Sequence, residues 1–187
     1  MRRAEAGSGQ FRPSNRSMIM SQLSLSLDSS LLVRDDQGRY LPATADQILE
    51  AARYVIDQKT PRGTLFTSPA LVKDYLRTKL ANFEHEVFAT LFLDSQNRLI
   101  EYVEMFRGTI DQASVYPREV VKTALQHNAA AVIFSHNHPS GNSEPSQADK
   151  LLTQRLKEAL ALVDVRTLDH IVVGGEATTS FAERGLI

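Results

Sequence analysis

The 187-residue sequence contains no cysteine and no tryptophan. Without thiols it can have neither a disulfide framework nor a cysteine-ligated metal, and the zinc-deaminase pattern with its P-C-x-x-C pair is excluded. A cysteine-free chain suits a reducing compartment, so the expected location is the cytoplasm. An excess of one charge is missing too: 21 Lys and Arg against 22 Asp and Glu leave a formal net charge of −1. With no basic surplus to neutralise phosphates, direct DNA binding is expected to be weak or absent. No apolar run approaches the length of a membrane span, so no membrane association is expected. The opening MRRAEAGSGQFRPSNR is basic but has no apolar centre, unlike a secretory signal.

What remains is ordinary globular material, 42% hydrophobic and 23% charged. That length allows one domain with a real core plus a small appendage. Residues 1–20, rich in Gly, Ser and Arg, read as a disordered tail. Residues 21–64 read as an extension: Leu23, Leu25 and Leu27 alternate with serines as in a short strand, DDQG at 35–38 makes a turn between 31–34 and 39–42, and Thr44-x-x-Gln47 caps a helix over 45–58. Its expected inward positions are Ile48, Leu49, Ala52, Val55 and Ile56. Residues 65–187 read as the main domain. Ser68-Pro69 opens a helix whose inward stripe is Leu71, Val72, Tyr75 and Leu76. Strands are expected at 86–93 and 98–106. A helix from Pro117 should bury Val120, Val121, Ala124 and Leu125, and a strand follows over 129–135. A helix at 146–162 should bury Leu151, Leu152, Leu156, Ala159 and Leu160. Strands at 165–173 and 177–181 close the chain. The alternation gives an α/β fold, a mixed β-sheet flanked by helices.

The stretch that organises this pattern is FSHNHPSGNSEPSQAD, residues 134–149. His136 and His138 are two apart at a strand end, so both imidazoles point to one face. Pro139, Gly141 and Pro145 turn the chain. Asp149 follows one turn into the next helix, where its carboxylate can face back. Two neutral nitrogens and a carboxylate suit Zn²⁺, and three protein ligands leave a fourth position open for water. Ser146-x-x-Asp149 is at the same time a capping box.

His-x-His-Pro followed by Ser-x-x-Asp at this spacing resembles the JAB/MPN+ (JAMM) metalloprotease signature. LFLDSQNRLI at 91–100, YPREVVKTAL at 116–125, HNHPSGNSEPSQAD at 136–149 and LDHIVVG at 168–174 narrow the resemblance to the RadC branch, over about Ser68 to Ile187. It implies a JAB/MPN (cytidine-deaminase-like) sandwich and a zinc metallopeptidase that cleaves a peptide or isopeptide bond in a peptide or protein substrate. The spacing alone allows any amide or ester. Longer RadC proteins carry a helix-hairpin-helix-like segment that is not seen here. The contrasting reading is a non-catalytic accessory protein in DNA repair or recombination.

Such a reaction needs a general base outside the ligand set. Glu84 and Glu86 both precede the 87–93 strand. Glu86 is the expected base, because a strand entry holds it more firmly than the connection holds Glu84, and because Glu86-Val87-Phe88 matches the family's Glu-x-Phe. Ser146 is expected to hydrogen-bond the carbonyl oxygen as charge develops on it. His85 and His127 read as surface residues. His170 reads either as a partner of a metal ligand or as a partly buried, hydrogen-bonded histidine. Arg118 and Glu119 read as structural ion-pair residues.

Overall fold

The computed structural model describes residues 31–66, 68–108 and 114–187. The expected tail at 1–20 and the strand around Leu23, Leu25 and Leu27 lie outside these residues. The chain divides into two compact units, Met1–Ala43 and Thr44–Ile187.

In the first unit, β1 (Leu32–Arg34) and β2 (Tyr40–Pro42) pair antiparallel, with Val33 opposite Leu41. Asp35 makes the turn: its Oδ1 accepts the amide protons of Gln37 and Arg39 at 3.0 and 2.8 Å. Gly38 takes the left-handed φ of 81° that the turn requires.

The second unit opens with α1 (Ala45–Lys59), started by the expected capping box: Thr44 Oγ1 accepts the Gln47 amide at 3.3 Å and Gln47 Oε1 accepts the Thr44 amide at 2.9 Å. No residue of α1 is fully buried, and Ala52 and Val55, expected inward, are exposed. Ile56 alone reaches the main apolar cluster. The helix is tethered by Lys79, whose Nζ donates to both Asp57 oxygens at 2.9 Å. In α2 (Pro69–Leu80), Val72, Tyr75, Leu76 and Leu80 are buried, while Leu71 is exposed.

Five strands, β3 (Val87–Leu93), β4 (Leu99–Arg107), β5 (Ala131–Asn137), β6 (Arg166–Gly174) and β7 (Ala177–Ser180), form one sheet. Their order across it is β4-β3-β5-β6-β7. Only β5 and β6 are parallel, and the helix α4 (Gln147–Ala161) makes their crossover. Every residue of β3 and β5 is buried, which explains their nearly continuous apolar sequences. On one face, Val87, Ala89, Leu91, Leu93 and Ile133 pack against α2. On the other, Phe88, Phe92, Val132 and Phe134 pack against α4 and α3 (Pro117–Gln126), through Leu156, Leu160, Val120 and Ala124. Phe88, Phe92, Phe134 and Phe181 are wholly buried, each stabilising the fold by roughly 1.5–3 kcal/mol. The result is the expected mixed sheet flanked by helices, consistent with a JAB/MPN fold.

Three further details differ from the sequence expectation. β5 runs two residues further, to Asn137, so His136 is held inside the ladder. Leu125 and Leu151 are exposed, at 56% and 59%. Thr153, Leu156 and Leu160 define the buried face of α4, and Leu151 sits nearly opposite them on a helix of 3.6 residues per turn. Glu119 pairs with Lys122 at 3.5 Å within α3, and Arg118 is exposed without an ion pair among the described residues. No helix of the described residues is long and apolar enough to cross a membrane.

Candidate functional site

The site forms where the carboxyl end of β5 meets the amino end of α4, a usual place for chemistry in α/β sheets. His136 lies opposite Phe88 of β3 and Val172 of β6, and is 1% exposed. His138 follows the strand, and its amide donates to Val173 O at 2.8 Å. The chain then turns through Gly141, with φ of 80°, and Ser146 caps the start of α4.

The capping box expected for Ser146 and Asp149 is present, and it orients the carboxylate. Ser146 Oγ accepts the Asp149 amide at 3.1 Å, and Asp149 Oδ2 accepts the Ser146 amide at 2.7 Å. A side chain folded back over its own N-cap faces the end of the sheet. Asp149 Oδ1 therefore lies 3.4 Å from His136 Nε2, and Oδ2 lies 3.6 Å from His138 Nε2. The two Nε2 atoms are 2.9 Å apart. The cap geometry of Ser146-x-x-Asp149 is compatible with a ligand role for Asp149.

His136, His138 and Asp149 offer one donor atom each, all within 4.8 Å of one another. The donor set also has the right protonation. His138 Nδ1 lies 2.7 Å from the carbonyl oxygen of Asn142, which can only accept, so Nδ1 carries the proton and Nε2 presents a lone pair. The Asp149 carboxylate beside the ring raises the His138 pKa, against the opposing effect of burial. Burial would push the Asp149 carboxyl up, but the adjacent His136 and His138 rings and the Ser146 amide outweigh it and hold the group far below the carboxylate range. Two ring nitrogens and an ionised carboxylate converging in this way could hold a metal cation.

Glu86, His138, Ser146 and Asp149 line a common groove of about 800 Å³, walled by Tyr116, Leu151, Leu152 and Arg155. Leu151 is exposed because it forms this wall. The negative charge of Glu86 reaches His138. Glu84 is exposed and lines a different groove, with Asp46, Glu50, Arg53 and His85. The structure thus puts the two candidate bases in separate grooves, and the one that Glu86 lines is the one that holds His138 and Asp149.

Two residues that sequence reasoning passed over support this arrangement. Asn137, between the histidines, points to the opposite face. Its Oδ1 accepts the Val87 amide at 2.8 Å, and its Nδ2 donates to the carbonyls of Phe83 and His85 at 3.3 and 3.0 Å. The segment bearing Glu86 is thereby tied to the strand bearing His136. Gly174 lies against the turn after His138: a Cβ there would meet Ser143 N at 2.4 Å and Asn142 C at 2.5 Å. Alternation of side chains could have flagged Asn137. Nothing local could have flagged Gly174.

The remaining histidines divide. His127 is half-buried and stacks on Phe92, with ring centres 5.0 Å apart. His85 is half-buried and tilted against Phe83. His170 is wholly buried, more than expected, with its imidazole pushed well below its usual pKa by burial. Its Nε2 lies 2.8 Å from His136 Nδ1, and its Nδ1 lies 2.6 Å from Thr153 Oγ1. Asp169 anchors this strand by accepting from the amides of His170 and Ala182 and from Ser180 Oγ, at 2.7, 2.9 and 2.6 Å.

Comparison with known proteins agrees with this picture. A family model described as a RadC-like JAB domain matches residues 66–186. A UPF0758 protein of Vibrio cholerae serotype O1 is 62% identical over 139 residues, covering 74% of this chain and 87% of that protein. UPF0758 proteins of Cellvibrio japonicus and Leptothrix cholodnii are 64% and 61% identical over 138 and 140 residues. The match covers 62% and 63% of those two proteins, less than two thirds of their length.

Proposed function

The chain belongs to the RadC-like JAB domain family, and from that premise we propose that it is a zinc-dependent metallopeptidase. The reading is carried by one observation: the Nε2 atoms of His136 and His138 converge with the Asp149 carboxylate, and His138 and Asp149 line the same groove as Glu86. Two imidazoles and one carboxylate are a donor set for zinc with room left for water. When bound there, zinc supplies a Lewis acid that makes a water acidic enough to lose a proton near neutrality.

Glu86 takes the proton of the attacking water and returns it to the leaving nitrogen as the C–N bond breaks. Ser146 already accepts the Asp149 amide through Oγ, so its hydroxyl proton is available to the oxygen of the scissile carbonyl as charge grows on it. The substrate class is a peptide or isopeptide bond in a peptide or protein, and the setting is the cytoplasm.

Elemental mass spectrometry of the purified chain tests the metal, and a peptide-library screen tests cleavage. About one zinc per chain, lost in His138→Ala and weakened in Asp149→Asn, supports the reading; equal zinc in wild type and His138→Ala sinks the ligand assignment. Zinc without any cleavage would favour an accessory role in DNA repair or recombination.

A further inference from the structure

We propose that Thr153 and His170 are positioning residues that set the tautomer of His136 and so aim its Nε2 lone pair into the metal site. The inference deepens the metallopeptidase reading and rests on His136, His138 and Asp149 being the ligands.

The protons available fix the direction of each bond in this chain. Thr153 Oγ1 makes two contacts, 2.6 Å to the backbone carbonyl of Asp149 and 2.6 Å to His170 Nδ1. A hydroxyl has one proton to give. The carbonyl can only accept, so the hydroxyl donates to it, and His170 Nδ1 must then be the donor to Oγ1. His170 is wholly buried among the rings of Phe88, Phe134 and Phe181, which exclude the water that a second ring proton would need. With its proton on Nδ1, its Nε2 is a bare acceptor. His136 Nδ1, 2.8 Å away, therefore donates, and His136 Nε2 is left unprotonated. Reversing any one proton leaves a short contact with no hydrogen in it or with two.

The chain closes on itself. It begins at the backbone of one candidate ligand, Asp149, and ends on the ring of another, His136. The third, His138, has its tautomer set separately by Asn142 O. Both Nε2 lone pairs then face each other at 2.9 Å, an arrangement that a cation between them relieves. A threonine that merely returns its hydroxyl to the carbonyl four residues back is common in helices. Here the same oxygen also receives the buried imidazole.

The test uses the full chain with zinc removed. Long-range nitrogen–proton correlation spectra at mildly alkaline pH report which ring nitrogen of His136 and His170 carries the proton. Zinc affinity is read by competition with a chromophoric chelator. Wild type should show the proton on Nδ1 of both rings. Thr153→Val, which removes the hydroxyl at nearly constant shape, should let His136 populate both tautomers and weaken zinc binding roughly 10- to 100-fold. Thr153→Ser should restore both readouts, and His170→Phe should weaken zinc binding like Thr153→Val. A proton on Nε2 of His136 in the wild type overturns the relay without any variant. A folded Thr153→Val chain with wild-type zinc affinity also overturns it. A wild type that takes up no zinc but carries both Nδ1 protons upholds the relay and removes the metallopeptidase reading instead.

Discussion

Asn137 and Val87 are fifty residues apart in sequence and joined by a buried hydrogen bond of 2.8 Å from the Val87 amide to the Asn137 side-chain oxygen. The bond continues the β3–β5 ladder past its last backbone pair, through a side chain. Replacing Asn137 by Ala leaves that amide and the carbonyls of Phe83 and His85 without partners, at an expected cost of about 1–3 kcal/mol. Denaturant unfolding measures the loss. Cleavage should fall further than zinc content, because Glu86 loses its mooring while the ligands keep theirs. A variant with wild-type cleavage and stability would show that the bond positions nothing.

Glu86→Gln should keep its fold and its zinc but lose at least ~10²-fold in hydrolysis, the contribution of a positioned general base. Glu84→Gln should cleave normally, since Glu84 lines the other groove. Single-turnover assays on the two variants decide the matter, and the reverse result would move the base two residues upstream.

Metal removal should destabilise the chain. A ligand present at a thousand times its dissociation constant adds about 4 kcal/mol, which for a chain of this size corresponds to a Tm change on the order of 10 °C. Thermal unfolding with zinc and with excess chelator is the measurement, and identical midpoints would count against a metal that bridges β5 and α4.

DNA affinity should be weak and nonspecific, following from the formal net charge of −1. A fluorescence titration in moderate salt checks this. Tight binding that survives deletion of residues 1–20 would promote the accessory reading.

How much was legible beforehand depended on how local the signal was. His136, His138, Ser146 and Asp149 lie within fourteen positions, and strand alternation, a turn and a helix cap suffice to bring them together. The helix starts at Thr44, Ser68 and Ser146 were equally plain, because each cap is a short-range bond. His170 was harder: its role depends on β6 lying parallel to β5 with Phe134 opposite His170, a pairing across 36 residues. Nothing in the sequence sets Thr153 apart from other helical threonines; only the buried imidazole beside it does. Leu151 was misjudged because an apolar side chain on a helix can as well wall a groove as fill a core. The α1 stripe was misjudged because amphipathic spacing tells which side is apolar, but not how much protein covers it.

The glycine at 174 has one further consequence. The seven residues from Pro139 to Pro145 are a fixed-length bridge between the histidine pair and the aspartate, and part of that bridge rests on a surface with no side chain. A methyl group at 174 would have to displace backbone atoms, and a turn shifted there would carry His138 away from its partners. The tolerance of the candidate site to change is therefore governed partly from β6, by a position that donates no atom to it. Variants that transplant the histidine and aspartate words onto another sheet would need this bare spot on the neighbouring strand as well, or the bridge would not lie flat.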